Sequence, residues 1–195
     1  MSNVNTFAGY YNLPAQTITT TSATPLLVPA QSVYPGLPSP AMPAGSGLFA
    51  LIGPDILNNM TFDGHPFLVR MCAKVNTAVS SSLTAEVRFG TSSTASSDTS
   101  IGVTTGSITA FTGNGNVVLE ASMFWDSVNQ ELVGNFTKQY YTAAGLTYAG
   151  PTATTALSVA NVNGAPPALT FIPVFTFGAA GANTVTVTEL TIDRA

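Results

Sequence analysis

The run FLVRMCAKVN at residues 67–76 decides the fold class of this 195-residue chain. Its apolar residues alternate with mainly polar ones, and a period of two is typical of a β-strand with one buried face. Two further runs, 83–89 and 117–126, show the same alternation. Together the three runs predict the core of an all-β, antiparallel β-sandwich.

The segments between these runs predict how the strands connect. Residues 77–82, TAVSSS, predict a loop, so that the first two runs would form an antiparallel pair. The glycines and asparagines at 113–116 predict a turn before the third run. A four-residue turn at 126–129 predicts a hairpin between the third run and residues 131–141.

The last two predicted strands carry local irregularities. Residues 168–177 are apolar on both faces, which predicts a strand buried on both sides. Pro173 lies within this strand and cannot donate a ladder hydrogen bond, so we expect an edge position or a bulge there. In residues 183–193 the apolar side chains change face midway, which is the one-residue shift that a bulge produces.

The composition favours a protein that packs against other proteins. Charged residues make up 7% of the chain, against about 25% in typical domains, while hydrophobic residues make up 45%, enough for one sandwich domain. Strands with neutral exposed faces pack readily against other surfaces. The net charge is −4, and the five basic residues are scattered rather than clustered as a nucleic-acid backbone requires. We therefore expect a subunit of an assembly that binds no nucleic acid.

Residues 1–47 form an uncharged, proline-rich arm before the sandwich domain of residues 48–195. Its seven prolines exclude helix and central strands and leave an extended conformation. Because the arm is also apolar, we expect it to lie ordered along its own domain or a neighbouring subunit, and to be removable without unfolding the sandwich; a flexible tail is the alternative. The predicted partner-binding residues of the arm are Phe7, Tyr10, Tyr11, Leu13, Leu26, Leu27, Val28, Tyr34 and Leu37.

No catalytic constellation stands out in the sequence. His65 is the only histidine and Cys72 the only cysteine, which is a poor start for a zinc site. Glu86 and Glu120 lie at mid-strand positions that favour surface carboxylates over a glycosidase pair. We therefore predict that the chain is not an enzyme and has no catalytic residues, no cofactor and no metal.

Charge and targeting signals add three further expectations. We expect Arg70, Lys74, Glu86 and Arg88 to form cross-strand ion pairs on one outer face. The first residues lack the basic and apolar regions of a signal peptide, which predicts production in a host cytoplasm. No apolar run approaches the roughly 18 residues of a membrane helix, so no membrane partner is expected.

Three segments carry a resemblance to a known family. The sequences LTAEVRFG at 83–90, VLEASMFWD at 118–126 with QELVG at 130–134, and TVTVTEL at 184–190 resemble the jelly-roll virion proteins of tailed bacteriophages, of the capsid decoration or cement type. The resemblance is one of pattern. It implies a jelly-roll-like sandwich on the capsid surface of the virion, bound to the major capsid protein and to sister subunits. It also implies a homo-oligomer, with a trimer favoured, and no enzymatic activity.

Two functional hypotheses follow. The first is a decoration subunit that bridges capsid subunits and stabilises the shell, with the arm as the gripping element. The alternative is a phage fibre or receptor-binding head that recognises cell-surface glycans, with Tyr140, Tyr141 and Tyr148 as stacking candidates. An RNA-packaging coat protein is disfavoured, because the arm contains no cation.

Overall fold

The regular structure in the described residues is β-strand. A computed structural model describes residues 5–26, 31–32, 50–52, 66–90, 99–101, 108–126, 131–149, 153–158 and 169–194. The strands are β1 (Asn5–Tyr11), β2 (Gln16–Ile18), β3 (Thr24–Pro25), β4 (Gln31–Ser32), β5 (Ala50–Ile52), β6 (Phe67–Gly90), β7 (Thr99–Ile101), β8 (Ile108–Asp126), β9 (Glu131–Thr142), β10 (Gly145–Ala149), β11 (Ala153–Ser158), β12 (Leu169–Phe177) and β13 (Asn183–Arg194).

One strand, β6, links both halves of the sheet. On one side it pairs with β8 and then with β7; on the other side it pairs with β13 along its first half and with β12 along its second half. The prediction that 67–75 and 83–89 form an antiparallel pair is therefore wrong. Thr77 and Ser81 occupy inward positions in the predicted loop and are 1% exposed. Their hydroxyls bond to backbone groups, and β6 continues through 77–82, although Val79 between them is 40% exposed and interrupts the buried alternation.

The predicted turn at 113–116 is also part of a continuous strand. β8 runs from 108 to 126, and its pairing with β6 shifts register between Thr77 and Leu83. Gly113 has a φ of 90°, a conformation that glycine adopts without strain. The glycine-rich segment thus accommodates an irregularity opposite the middle of β6 instead of reversing the chain.

The predicted hairpin is confirmed. β8 and β9 pair antiparallel from Asp126 opposite Glu131 to Gly115 opposite Thr142, while the connecting residues 127–130 lie outside the described part of the chain. The far edge of β9 pairs with β10 along one half and with β11 along the other.

β12 is buried on both faces, as predicted, but the expectation for Pro173 is wrong. Pro173 lies opposite Val87 of β6, inside a regular ladder. Its carbonyl accepts a hydrogen bond of 2.9 Å from the N–H of Leu26 on the other side. In an antiparallel strand the N–H and C=O of one residue point to the same neighbour, so the missing N–H faces the arm and costs the β6 ladder nothing.

The bulge predicted in the last strand is confirmed. The pairing of β13 with β6 shifts by one residue between Val187 and Glu189. This shift lets Val185 and Val187 before the bulge, and Leu190 and Ile192 after it, all reach the core.

The described part of the arm belongs to the sheet of its own chain. β1 and β2 pair antiparallel with β13, and β3 pairs with β12. Between β1 and β2 the N–H groups of Asn12 and Leu13 donate to carbonyls of β13 at 3.1 and 2.9 Å. The sequence left two surfaces possible for the arm, its own domain or a neighbouring subunit. The described residues of the arm lie on their own domain. Residue 47, the predicted domain boundary, lies outside the described residues, so that boundary stays a prediction.

The core is formed by the inner faces of β6, β8, β12 and β13. Tyr140 of β9 is fully buried there, and the arm adds Leu13, Ile18 and Leu26 to the same cluster. Apart from a short parallel pairing of β4 with β5, the described pairings are antiparallel. The predicted all-β, antiparallel, sandwich-like fold is confirmed.

Candidate functional site

A broad polar face lies opposite the core and is the main candidate for contact with a ligand or partner. This outer face consists of the even-numbered residues of β6 from Arg70 to Asn76, the even-numbered residues of β8 from Asn114 to Phe124, the odd-numbered residues of β9 from Asn135 to Tyr141, and Thr184 and Thr186 of β13. All of these residues are exposed or half-buried. Strand alternation places them together, because every second side chain points away from the core.

One end of the outer face holds an ion cluster, which we call the charged end. Nε of Arg70 lies 3.0 Å from Oε1 of Glu120 in β8, and Nη1 lies 3.6 Å from Oε1 of Glu189 in β13. The Nε–H does not point at an acceptor, so the shorter contact is an ion pair rather than a hydrogen bond. Burial opposes the charge on Arg70, but Glu189, Cys72 and Glu120 outweigh it and raise the pKa of the guanidinium. Such exposed pairs contribute about 1 kcal/mol or less each.

Cys72 lies beside Arg70 on β6 and is half-buried. Burial raises the pKa of its thiol, although the positive charge of Arg70 opposes the shift. The thiol is therefore held in its protonated, less nucleophilic form.

The predicted ion pairs are only partly correct. Arg70 does pair across strands, but with Glu120 and Glu189. Arg88 pairs with Glu86 at 3.0 Å within β6. Lys74 is exposed and forms no ion pair with the residues that the structure describes. Pairing across a sheet depends on which strands are neighbours, and the sequence pattern does not give that order.

The other end of the outer face carries amides and hydroxyls; we call it the neutral end. Nδ2 of Asn76 donates to Oδ1 of Asn114 at 2.7 Å, and the hydroxyl of Tyr141 donates to Oε1 of Gln139 at 2.8 Å. Asn116 lies opposite Tyr141 on one side and opposite Lys74 on the other. The result is a row of side chains that crosses three strands.

A second polar group lies inside the sandwich. Lys138 of β9 is 3% exposed, and burial lowers the pKa of its amine, although the charge of Glu86 opposes the shift. A neutral amine can act as a nucleophile, but so little exposure leaves a substrate almost no access. We interpret Lys138 as a structural residue.

Tyr140, two residues after Lys138 in β9, binds to β6 where β6 changes its partner strand. The pairing of β6 with β8 ends at Leu83 and its pairing with β7 begins at Val87. Between them the N–H of Ala85 donates to the hydroxyl of Tyr140 at 2.9 Å. This fully buried tyrosine satisfies a backbone donor that lies between the described pairings of β6 with β8 and β7, so it does not serve as a glycan-stacking residue.

The nine predicted partner-binding residues of the arm fall into three groups. Leu13 and Leu26 are 8% and 1% exposed within the core of their own chain, so we leave them out of any contact surface. Phe7, Tyr10 and Tyr11 lie in β1, whose backbone pairs with β13. The other four lie outside the described residues, and their role stays a prediction: Leu27, Val28, Tyr34 and Leu37.

The glycan-stacking candidates also separate. Tyr140 is buried, Tyr141 lies on the outer face, and Tyr148 is in β10. The sequence did not indicate Asn116 and Gln139 as neighbours of Tyr141. Alternation does place Gln139 on the same face as Tyr141, but the position of Asn116 opposite Tyr141 depends on the register of β8 with β9.

Comparisons with known proteins place no further constraint on the site. Within the described residues, no three His, Cys, Asp or Glu side chains form a group that could hold a metal ion. The same residues include no helix that is long and apolar enough to cross a membrane. Searches found no matching family model, no significantly similar curated protein and no significantly similar solved structure.

Proposed function

We propose that this chain is a structural subunit of a virion, a decoration protein that binds the outer capsid surface and stabilises the shell. The observation that carries the proposal is the charge distribution on the sheet. On the outer face Arg70 is paired with Glu120 and Glu189, and Lys74 is the one charged side chain there without an ion pair among the described residues, so the face offers mainly neutral polar groups. Such a surface suits extensive contact with another protein, where unpaired charges would lose hydration.

The sequence resemblance supports the same role. Decoration proteins act by attachment and not by catalysis, and the partners proposed here are the major capsid protein and sister subunits in a homo-oligomer, with a trimer favoured. The enclosed position of Lys138 and the raised pKa of Cys72 give two reactive groups little chemical role. We therefore assign no catalytic activity to the chain.

We now restrict the proposed gripping element to the part of the arm that follows β4 in the sequence. The core positions of Leu13, Ile18 and Leu26 argue against the expectation that the whole arm can be removed without unfolding the sandwich. Tyr34 and Leu37 belong to the proline-rich stretch that follows β4 and are candidates for a contact outside the domain. The attachment test therefore uses substitutions there instead of an arm deletion.

The position on a particle can be tested directly. Antibodies raised against the purified chain are applied to virions of the virus that encodes it, and bound gold particles are located by electron microscopy. We expect label distributed over the head. Label confined to the tail or to fibres, or no label on intact particles, would reject the decoration role.

A binding measurement then tests the gripping element. Capsids that lack the protein are incubated with wild type or with the double variant Tyr34→Ser, Leu37→Ser, and the bound fraction is measured by sedimentation. We expect the variant to bind at least about tenfold more weakly, as loss of two apolar anchors implies. The exposed arm variant Thr19→Ala serves as the control. Equal binding by all three proteins would exclude the later arm as the contact.

A further inference from the structure

The neutral end of the outer face is an arrangement that the decoration role does not require. Tyr141, Asn116, Lys74 and Thr186 form one row across β9, β8, β6 and β13, in direct register. With strands about 4.8 Å apart, the row extends about 14 Å. That length fits several linked sugar rings better than a single small molecule.

Tyr141 presents an aromatic surface in this row. Gln139 and Tyr141 are two residues apart on the same face of β9, and the tyrosine hydroxyl reaches Oε1 of Gln139 at 2.8 Å. A phenol ring that stood upright from the sheet would not reach its neighbour along the strand. The ring therefore leans along the sheet, and Tyr141 is half-buried, so part of its surface remains exposed to solvent.

The amides next to the ring are held in fixed positions. The bond from Tyr141 occupies the carbonyl of Gln139 and leaves its NH₂ group available as a donor. The bond from Asn76 to Asn114, 2.7 Å long, likewise fixes two further amides in the neighbouring row, two residues along β6 and β8. Side chains that are already ordered lose less entropy when they bind a ligand.

The charges of the outer face also favour a polyhydroxylated ligand at this end. The carboxylates of Glu120 and Glu189 lie at the charged end, where both face Arg70. At the neutral end Lys74 is the one charged residue among the side chains that the structure describes. Sugar hydroxyls both donate and accept hydrogen bonds, so they match amides and hydroxyls without displacing an ion pair.

From these observations we infer that the neutral end is a glycan-binding platform. A pyranose ring stacks on the exposed surface of the Tyr141 ring, and Gln139 and Asn116 bond to its hydroxyl groups. The row toward Lys74 holds the neighbouring sugars. This inference is compatible with the decoration role if the capsid contact uses the charged end of the outer face and the later part of the arm, which leaves the neutral end open to a cell.

The test is a glycan array that contains mammalian surface glycans, bacterial lipopolysaccharide glycans and peptidoglycan fragments. Purified wild-type protein is applied, and each bound glycan is then titrated in solution by NMR. We expect at least one glycan to bind, and Tyr141→Ala to weaken its binding by about tenfold through loss of stacking. Resonances of Gln139 and Asn116 should shift during the titration.

Three variants separate the site from general effects. Phe124→Ala removes the exposed aromatic residue near the charged end of the same face and should leave binding unchanged. Tyr141→Phe keeps the ring but frees Gln139, so it should lose less affinity than Tyr141→Ala. Asn116→Ala provides a second test of the platform in case Tyr141→Ala does not fold. An array without a bound glycan, or equal binding by wild type, Tyr141→Ala and Asn116→Ala, would overturn the inference.

Discussion

Lys138 has a basic side chain in a position that disfavours its positive charge. Its amine is buried in the sandwich, where loss of hydration disfavours the charged form and lowers its pKa. Glu86 opposes this shift, but the same carboxylate also pairs with Arg88 at 3.0 Å. The folded state therefore carries a cost for Lys138 that the unfolded chain does not.

Replacing Lys138 with Met should stabilise the protein at neutral pH by about 1 kcal/mol or more, because an apolar side chain loses no hydration in this position. The sign of the pH dependence follows from the lowered pKa. Between the folded and unfolded pKa values the unfolded chain binds more protons, so the stability of the wild type rises with pH there. The advantage of Lys138→Met should shrink as the pH approaches the ordinary pKa of lysine.

Urea unfolding at several pH values measures this difference. Lys74→Met is the matched control, since Lys74 is exposed and its substitution should change the stability at neutral pH far less. A Lys138→Met protein that is less stable than wild type at neutral pH would show that the amine contributes a favourable interaction.

At the scale of elements, β8 and β9 approach so closely at one point that only glycine fits. A Cβ built on Gly134 would collide with the carbonyl oxygen of Ser122 and lie 2.8 Å from Cα of Met123. Both are backbone atoms of the paired strand, so neither can move aside alone. Gly134→Ala should cost about 2–3 kcal/mol of unfolding free energy.

Thermal or chemical unfolding followed by circular dichroism measures the cost at Gly134. Ser122→Ala alters the exposed side chain at the same crossing and should cost far less. If Gly134→Ala were as stable as wild type, the two strands could not be as close as described.

The arm is a structural element of the sandwich, and one substitution should reveal it. Ile18 of β2 is 3% exposed in the core cluster, so Ile18→Ala should cost about 2–4 kcal/mol. Thr19→Ala changes the neighbouring exposed residue and should be nearly neutral. Hydrogen exchange in β13 offers a second measurement, because its amides should exchange faster in Ile18→Ala. Equal stability of the two variants would mean that the arm does not contribute to the fold.

Alternation in the sequence predicts strand faces but not strand continuity. The residues between 77 and 82 are small and polar, as in many loops, yet Thr77 and Ser81 keep the inward phase and are satisfied by backbone bonds. The sequence pattern therefore predicted a loop at 77–82, where the structure has a continuous β6. Pro173 was similarly misjudged, because its tolerance depends on the arm strand that faces its missing donor.

At the scale of the whole molecule, few charges are free to act at a distance. The Arg70 and Arg88 pairs are internal, and the chain carries a net charge of −4 over 195 residues. The proposed attachment to capsids should therefore depend weakly on ionic strength. Raising NaCl from about 50 to about 500 mM should change the apparent Kd by less than about threefold, since screening acts on exposed charges. A change of more than tenfold in sedimentation binding would point to an attachment driven by ion pairs.

The candidate glycan-binding platform could be predicted only in part from the sequence. The sequence indicated Tyr141 as one of three tyrosines, but it could not separate them, because Tyr140 and Tyr141 are neighbours whose roles depend on which face is inward. The burial of Tyr140 and its bond to Ala85 resolve this choice. The contributions of Asn116 and Lys74 depend on strand register, which arises from contacts distant in the chain.

The length of β6 affects how the protein unfolds. Its 24 residues hold β13 and β8 along the first half, and β12 and β7 along the second. Because both halves pair with this shared strand, β6 cannot leave one half without breaking its hydrogen bonds to the other. The two halves should therefore melt as a single cooperative unit.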